Sequence, residues 1–301
     1  MKKYSSHNLA LLALLLASML WALVPSVLKL TLNAIPPFSL QFLRFSLASI
    51  LVLPFFLRER KNLHGEYLKL FLFSLLPFLN VTLFILGIRL TAASVTPVLY
   101  AATPILVVIF SRLLLKETIS LPKAIGIFFG FLGVLMIALL PIIGSEGNKI
   151  GNMRGNFIVL LAVFSWTLYT IFSKFILKKH SPLVTNSLFC FISTLFTLPL
   201  AGFELMNNSS WLTSVSSQAL LGVFYLGSFA TAGTFFLYQW AVKHSSALEA
   251  SLSFYLQPIF GSLAAVIILK ERLTFLFIIG AIITLLGVFL TTTLSYLRNS
   301  R

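Results

Sequence analysis

The chain has 301 residues, of which 58% are hydrophobic and only 10% charged, with mean hydropathy +1.00. A soluble domain carries about 25% charged residues, so a soluble globular enzyme is excluded, and so is a disordered chain, which would be poor in apolar residues. The 22 Lys and Arg outweigh 7 acids, all Glu, and sit mostly in short gaps between apolar runs; that pattern reads as membrane topology, not as nucleic-acid binding.

A hydrocarbon core about 30 Å thick takes about 20 helical residues to cross. Ten apolar stretches have that length: 9–30, 37–57, 67–88, 92–115, 121–143, 153–177, 183–203, 215–241, 246–270 and 274–297. They predict an all-α polytopic membrane protein with ten transmembrane helices, because lipid offers no partner for free backbone groups. Lys2 and Lys3 precede the first stretch, which reads as an uncleaved span. Most Lys and Arg outside the spans fall on the side of the N-terminus, which predicts a cytoplasmic (inner) membrane protein with both termini cytoplasmic. The loop carrying Lys270 and Arg272 faces the other way.

An internal repeat organises the ten stretches. A shift of 154 lays residues 87–136 on 241–290 without a gap, matching Leu115-Lys116-Glu117 to Leu269-Lys270-Glu271 and Pro104 to Pro258. A shift of 145 aligns the earlier parts, where Trp21 meets Trp166, Lys29 meets Lys174 and Pro37 meets Pro182. The expected division is a first five-helix repeat over 1–143, a connecting loop over 144–152 and a second repeat over 153–301. An odd number of spans per repeat places the halves in opposite orientations, an arrangement found in secondary transporters.

Within the spans, a few polar and aromatic residues stand out. Arg44 is an intramembrane charge, costly unless it faces the bundle interior. It binds an anionic group such as a carboxylate or ties helices around the cavity, or else it snorkels outward or hydrogen-bonds carbonyls structurally. Glu249, Ser253 and Gln257 recur every four residues and share one helix face. That face lines a pathway, with Glu249 at its cytoplasmic approach, unless Glu249 is merely solvated at the helix end. Trp21, Tyr100, Trp166 and Tyr255 are mid-span aromatics that would suit an amphipathic or cationic solute, or pack as core. Pro97, Pro104 and Pro258 mark helices four and nine as bending elements. Lys29 and Lys174 read as snorkelling side chains. The Lys116-Glu117 and Lys270-Glu271 pairs read as ties between neighbouring helix ends. The glycines of spans five and ten, among them Gly126, Gly130, Gly133, Gly280 and Gly287, fit close helix packing within the chain or between two copies in a homodimer. No Walker loop, no His-Glu-x-x-His and no Cys cluster occurs around the single Cys190, so neither a metal nor a cofactor is expected.

The tryptophan followed eight residues later by lysine, Arg44-Phe45, Pro104, the Lys-Glu pair and the glycine-rich fifth helix together resemble the EamA-type branch of the drug/metabolite transporter superfamily. The resemblance covers nearly the whole chain, twice over. It implies ten helices in two inverted five-helix repeats and a small-molecule substrate, with export of amino acids or related metabolites the foremost expectation. Gln257 stands where the family has an acidic residue before the proline, and Phe189 stands where the second half would repeat Arg44. The expected function is a secondary transporter moving a small polar or amphipathic metabolite by alternating access, as a uniporter or coupled to protons through Glu249. The alternatives are a membrane-embedded enzyme acting on lipid-like substrates, which would need clustered acids, and a channel, which would need a continuous polar pore.

Overall fold

The computed structural model describes residues 6–59, 65–115, 121–143 and 151–299. Every regular element among them is helical. The first half comprises α1 (Ser6–Leu32), α2 (Pro37–Glu59), α3 (Tyr67–Leu90), α4 (Val95–Tyr100), α5 (Thr103–Leu115), α6 (Leu121–Ala138) and α7 (Leu140–Ile143). The second comprises α8 (Met153–Ile176), α9 (Pro182–Asn207), α10 (Trp211–Ser214), α11 (Ser217–Phe224), a π-helix (Tyr225–Gly233), α12 (Thr234–His244), α13 (Ala247–Leu252), a 3-10 turn (Ser253–Tyr255), α14 (Leu256–Leu269) and α15 (Phe275–Asn299). Seven helical segments are long and apolar enough to cross a membrane, and three shorter apolar helices (Val95–Phe110, Ala124–Ala138 and Phe275–Gly287) accompany them.

The side-chain distribution is that of a protein in lipid. Leu16, Phe55, Phe128, Phe203 and Ile267 are exposed, whereas Ser18, Thr170, Ser173, Asn186 and Gln239 are completely buried. Water as the outer solvent would reverse that arrangement. The chain is therefore an integral membrane protein, its polar groups turned inward, where hydrogen bonds can satisfy them.

Two expected spans are interrupted. The stretch 92–115 breaks between α4 and α5, and 246–270 breaks at the 3-10 turn. Pro104 and Pro258 fall in the first turns of α5 and α14. A proline lacks the N–H that would continue a preceding helix, but it is well tolerated in a first turn, where that N–H has no partner. The prolines thus start new helices where mid-helix kinks were expected.

Helix ends and close contacts fix the directions of packing. Glu204, near the end of α9, accepts hydrogen bonds at the start of α2 from Phe38 N (3.1 Å) and Ser39 N (2.7 Å). Glu59, at the end of α2, accepts from Ser181, the N-cap of α9. The two helices are antiparallel. So are α3 and α8, where Ser165 meets Leu76 O, Asn80 meets Ala162 O and Gly87 faces Val159. So are α6 and α15, where Gly130 faces Gly287 and Gly133 faces Gly280; these glycines join helices of one chain. The segment α11–α12 runs antiparallel to α1, with Gly222 against Thr31 and Tyr225 Oη donating to Leu20 O. By contrast α14 runs parallel to α1, through Ser18 with Ser253 and Ala22 with Gly261.

Candidate functional site

A pocket lies between the two halves, where α1–α4 converge with α8, α12 and the α13–α14 break. Trp21, Arg44, Tyr100, Trp166 and Gln257, all expected to line a cavity, line this one, together with Pro97. The sequence reading did not single out Asn80, Phe84, Phe235 and Phe254, which share its wall. The space open to the centre of a water-sized sphere is about 60 Å³. At roughly 10–15 Å³ per water, that holds a handful of waters, so the state described is narrow.

The floor is aromatic. The Trp21 ring meets Trp166 edge-on at 5.2 Å, Phe235 at 5.4 Å and Tyr238 at 5.4 Å, and stacks on Phe254 at 6.0 Å. Trp166 packs on Tyr169 at 5.1 Å and Tyr238 at 5.0 Å. The pocket residues of α1–α4 lie toward the helix ends that meet at the face opposite the N-terminus. Phe235, Tyr238 and Phe254 lie toward the N-terminal face. The cluster therefore lies on the N-terminal side of the pocket.

The polar groups are held rigidly. Asn80 donates to Tyr100 Oη at 2.6 Å and to Ala162 O at 2.8 Å, locking the phenol. Tyr238 Oη and Thr170 Oγ1 share a hydrogen bond of 2.8 Å. Arg44 is 2% exposed. It donates to Thr231 Oγ1 and, at 3.4 Å, to Ala230 O. Ala230 O also accepts from Trp21 Nε1 at 3.1 Å. Both acceptors lie in the π-helix, whose wider turn leaves carbonyls free of their α-helical partners; such turns recur at functional sites. Gly227 lets this segment reach α2, since a Cβ there would come within 3.0 Å of Arg44 O.

Other residues singled out in the sequence lie elsewhere. Glu249 forms a capping box with Ser246 at the start of α13 and does not line the pocket. Ser246-x-x-Glu249 is a helix-start signature, and the end of α13 needs nothing further to explain the carboxylate. The backbone of Tyr255 ends the 3-10 turn, and its side chain lies outside the described residues. Pro104 and Pro258 are not among the lining residues. Lys174 does not snorkel: it donates to Val242 O and Ser245 O at the end of α12, where a cation meets the negative end of a helix. Lys29 lies 3.9 Å from Glu271, and Glu271 accepts from Ala93 N and Ser94 N before α4. Lys116-Glu117 lies outside the described residues. Among the described residues no group of three His, Cys, Asp or Glu is placed to hold a metal.

The sequence profile of the EamA-like transporter family matches residues 8–139 and, a second time, residues 153–293. The chain belongs to the EamA-like transporter family. Relatives of this EamA-like protein include an uncharacterized transporter of Archaeoglobus fulgidus, 28% identical over 93% of this chain and 96% of the relative. The uncharacterized transporter YdfC of Bacillus subtilis is 29% identical over 90% of this chain and 87% of its own. A chloroplastic WAT1-related protein of Arabidopsis thaliana is 23% identical over 90% of this chain and 66% of its own. A protein known from a crystal structure shares the fold, with a TM-score of 0.67, 19% identity and 97% of each chain covered. Family and relatives together make this EamA-like chain a membrane transporter.

Proposed function

We propose that the protein is a secondary transporter that moves a small polar or amphipathic metabolite, an amino acid or related solute, out of the cell by alternating access. The observation that carries this reading is the pocket between the two halves, walled by Trp21, Arg44, Tyr100, Trp166 and Gln257 and backed on one side by aromatic rings. A pocket between the two repeats with an aromatic barrier on one side is what one half-cycle of such a transporter requires.

Ten membrane helices form two inverted repeats, over 1–143 and 153–301, joined by 144–152. Three findings support this. The family profile matches twice. The antiparallel pairs α2 with α9 and α6 with α15 join segments that are equivalent under the sequence repeat. Equivalent residues also touch: Trp21 meets Trp166, and Ser49 bonds Thr194 at 3.0 Å. The basic bias of the N-terminal side supports a cytoplasmic membrane with both termini inside. The breaks at Pro104 and Pro258 are the hinges, and Pro97 lies on the wall they move.

Glu249 is taken up by its capping box, which favours a carrier without a dedicated proton site. The test is counterflow in proteoliposomes with a panel of radiolabelled amino acids and related acids, run without a pH gradient. Saturable uptake stimulated by unlabelled solute inside is the expected result. Uptake that rises linearly with concentration and ignores the interior solute belongs to a channel and would overturn the reading.

A further inference from the structure

The charge balance of the pocket narrows the cargo, and this step rests on the transporter reading above. Arg44 and Gln257 are 2% and 6% exposed and line the same pocket. The hydrogen-bond partners of the guanidinium, Thr231 Oγ1 and Ala230 O, are neutral acceptors. The titratable groups that act on it, Cys190, Tyr100 and Tyr225, are types uncharged at neutral pH. All five described glutamates are engaged at helix ends: Glu59 with Ser181, Glu66 with Lys69 and Lys179, Glu204 with Ser39, Glu249 with Ser246, and Glu271 with Ala93 and Ser94. Among the described residues no carboxylate pairs with Arg44. Gln257 Nε2 is a buried donor with no partner among the described residues. The pocket therefore presents a cation and a spare donor but no anion.

We propose that the cargo is an organic anion whose carboxylate or phosphate pairs with Arg44 and accepts from Gln257, while an apolar or aromatic body lies against Trp21, Trp166 and Phe254. A planar guanidinium suits either acid group through paired N–H donors. The pairing has a kinetic consequence. A closed carrier loaded with a carboxylate buries a neutral ion pair, and one loaded with a phosphate monoester, which carries about −1.5 to −2, buries a pair with at most one charge left over; an empty, closed carrier buries a lone cation, which is far more costly. Exchange of anion for anion therefore runs faster than net flux, and for a carboxylate only the return of the empty carrier responds to membrane potential.

The test uses the full-length protein in proteoliposomes and four probes of similar ring size: 3-phenylpropionate, phenyl phosphate, L-phenylalanine and phenethylamine. In the wild-type protein one of the two anions exchanges at least about tenfold better than phenethylamine, with L-phenylalanine between them. Whichever anion leads distinguishes carboxylate from phosphate. Arg44→Gln lowers affinity for that anion at least about tenfold and brings exchange and net flux to equal rates, while Arg44→Lys retains part of both. The wild-type order and Arg44→Lys decide the matter if Arg44→Gln does not fold. Preference for phenethylamine, with saturation and trans-stimulation, would leave the transporter standing and overturn the anion assignment. So would an Arg44→Gln carrier that binds the anion as before. Saturable movement of none of the four probes also overturns it, whereas the transporter reading falls only if the amino-acid counterflow fails as well.

Discussion

The contact between α6 and α15 offers a test whose sign is set by geometry. A Cβ built on Gly287 would lie 2.0 Å from Gly130 N and 2.5 Å from Gly130 Cα. Both are backbone atoms and cannot turn aside as a side chain can. Ordinary contact begins near 3.4 Å, so Gly287→Ala must part the helices by about 1.4 Å or bend one of them, at a cost typical of overpacking, about 1–3 kcal/mol. Gly202, in α9, has nothing within 4 Å of its Cβ position. There, Gly→Ala gains the helix preference of alanine, roughly 0.5–1 kcal/mol, and loses nothing. The same chemical change should therefore lower the melting temperature at Gly287 and raise it at Gly202. For a chain of this size about 1 kcal/mol moves the midpoint by roughly 2–4 °C, within reach of a thermal scan of the purified protein in detergent. Shifts of equal sign at the two sites would refute the close approach of α6 and α15. Ligand affinity should not change in either variant, because neither glycine lines the pocket.

Three further outcomes are expected. Pro104→Ala and Pro258→Ala, which permit a continuous helix across the two breaks, should slow transport while leaving binding nearly intact; unchanged rates in counterflow would remove the hinges from the mechanism. Glu204→Ala deletes the acceptor of three bonds at the start of α2, from Phe38 N, Ser39 N and Ser39 Oγ, and should cost about 1–2 kcal/mol in thermal unfolding, the size of a lost helix cap; an unshifted midpoint would show that the carboxylate is not capping α2. Glu66 precedes α3 and is held down to about 2, first by the hydrogen bond from Lys179 and then by that from Lys69. Because its folded value lies below the ordinary one of about 4.3, its contribution to stability is full above that value and is lost as pH falls toward 2; the wild-type midpoint should fall more steeply across that window than that of Glu66→Gln, and parallel curves would refute the clamp.

The sequence made much of this protein legible because lipid leaves few options. Apolar length gives helices, and matched Trp, Pro and Lys-Glu residues outline the repeat. Trp21, Arg44, Tyr100, Trp166 and Gln257 were picked out by one argument, that a polar or amphipathic group inside a span must face protein or water, and they line one pocket. Other features depend on partners distant in sequence. Lys174 was read as reaching for water because the end of α12 that it caps lies 68 residues away. The π-helix over Tyr225–Gly233 contains no proline, and its composition does not mark it as a wider turn, yet it supplies both acceptors of Arg44. Glu249 was set on a polar stripe by its four-residue spacing from Ser253 and Gln257. The 3-10 turn at Ser253–Tyr255 interrupts that stripe, and the competing signature, serine three residues before glutamate, describes its place better.

The aromatic floor also bears on which face the carrier prefers to keep closed. Val24 is equivalent to Tyr169 under the shift of 145, and continuing the shift of 154 makes Val81 equivalent to Phe235. Both valines line the pocket, as does Phe235, and the two larger members belong to the aromatic cluster on the N-terminal side. If the halves exchange conformations, as proposed, the opposite barrier closes on two valines where this one closes on Tyr169 and Phe235, whereas Tyr238 and Phe254 have aromatic equivalents in Phe84 and Tyr100. The contacts without an aromatic equivalent include those of Phe235 with Trp21 and Trp166 and of Tyr169 with Trp166, and such contacts add about 0.5–1.5 kcal/mol each beyond burial. Losing several of them on opening would leave the alternative state a few kcal/mol higher, which corresponds to a population of roughly 0.1–10%. On the proposed cycle the empty transporter rests closed toward its N-terminal face, and a cargo that neutralises Arg44 acts on an equilibrium already set by the asymmetry between the two halves.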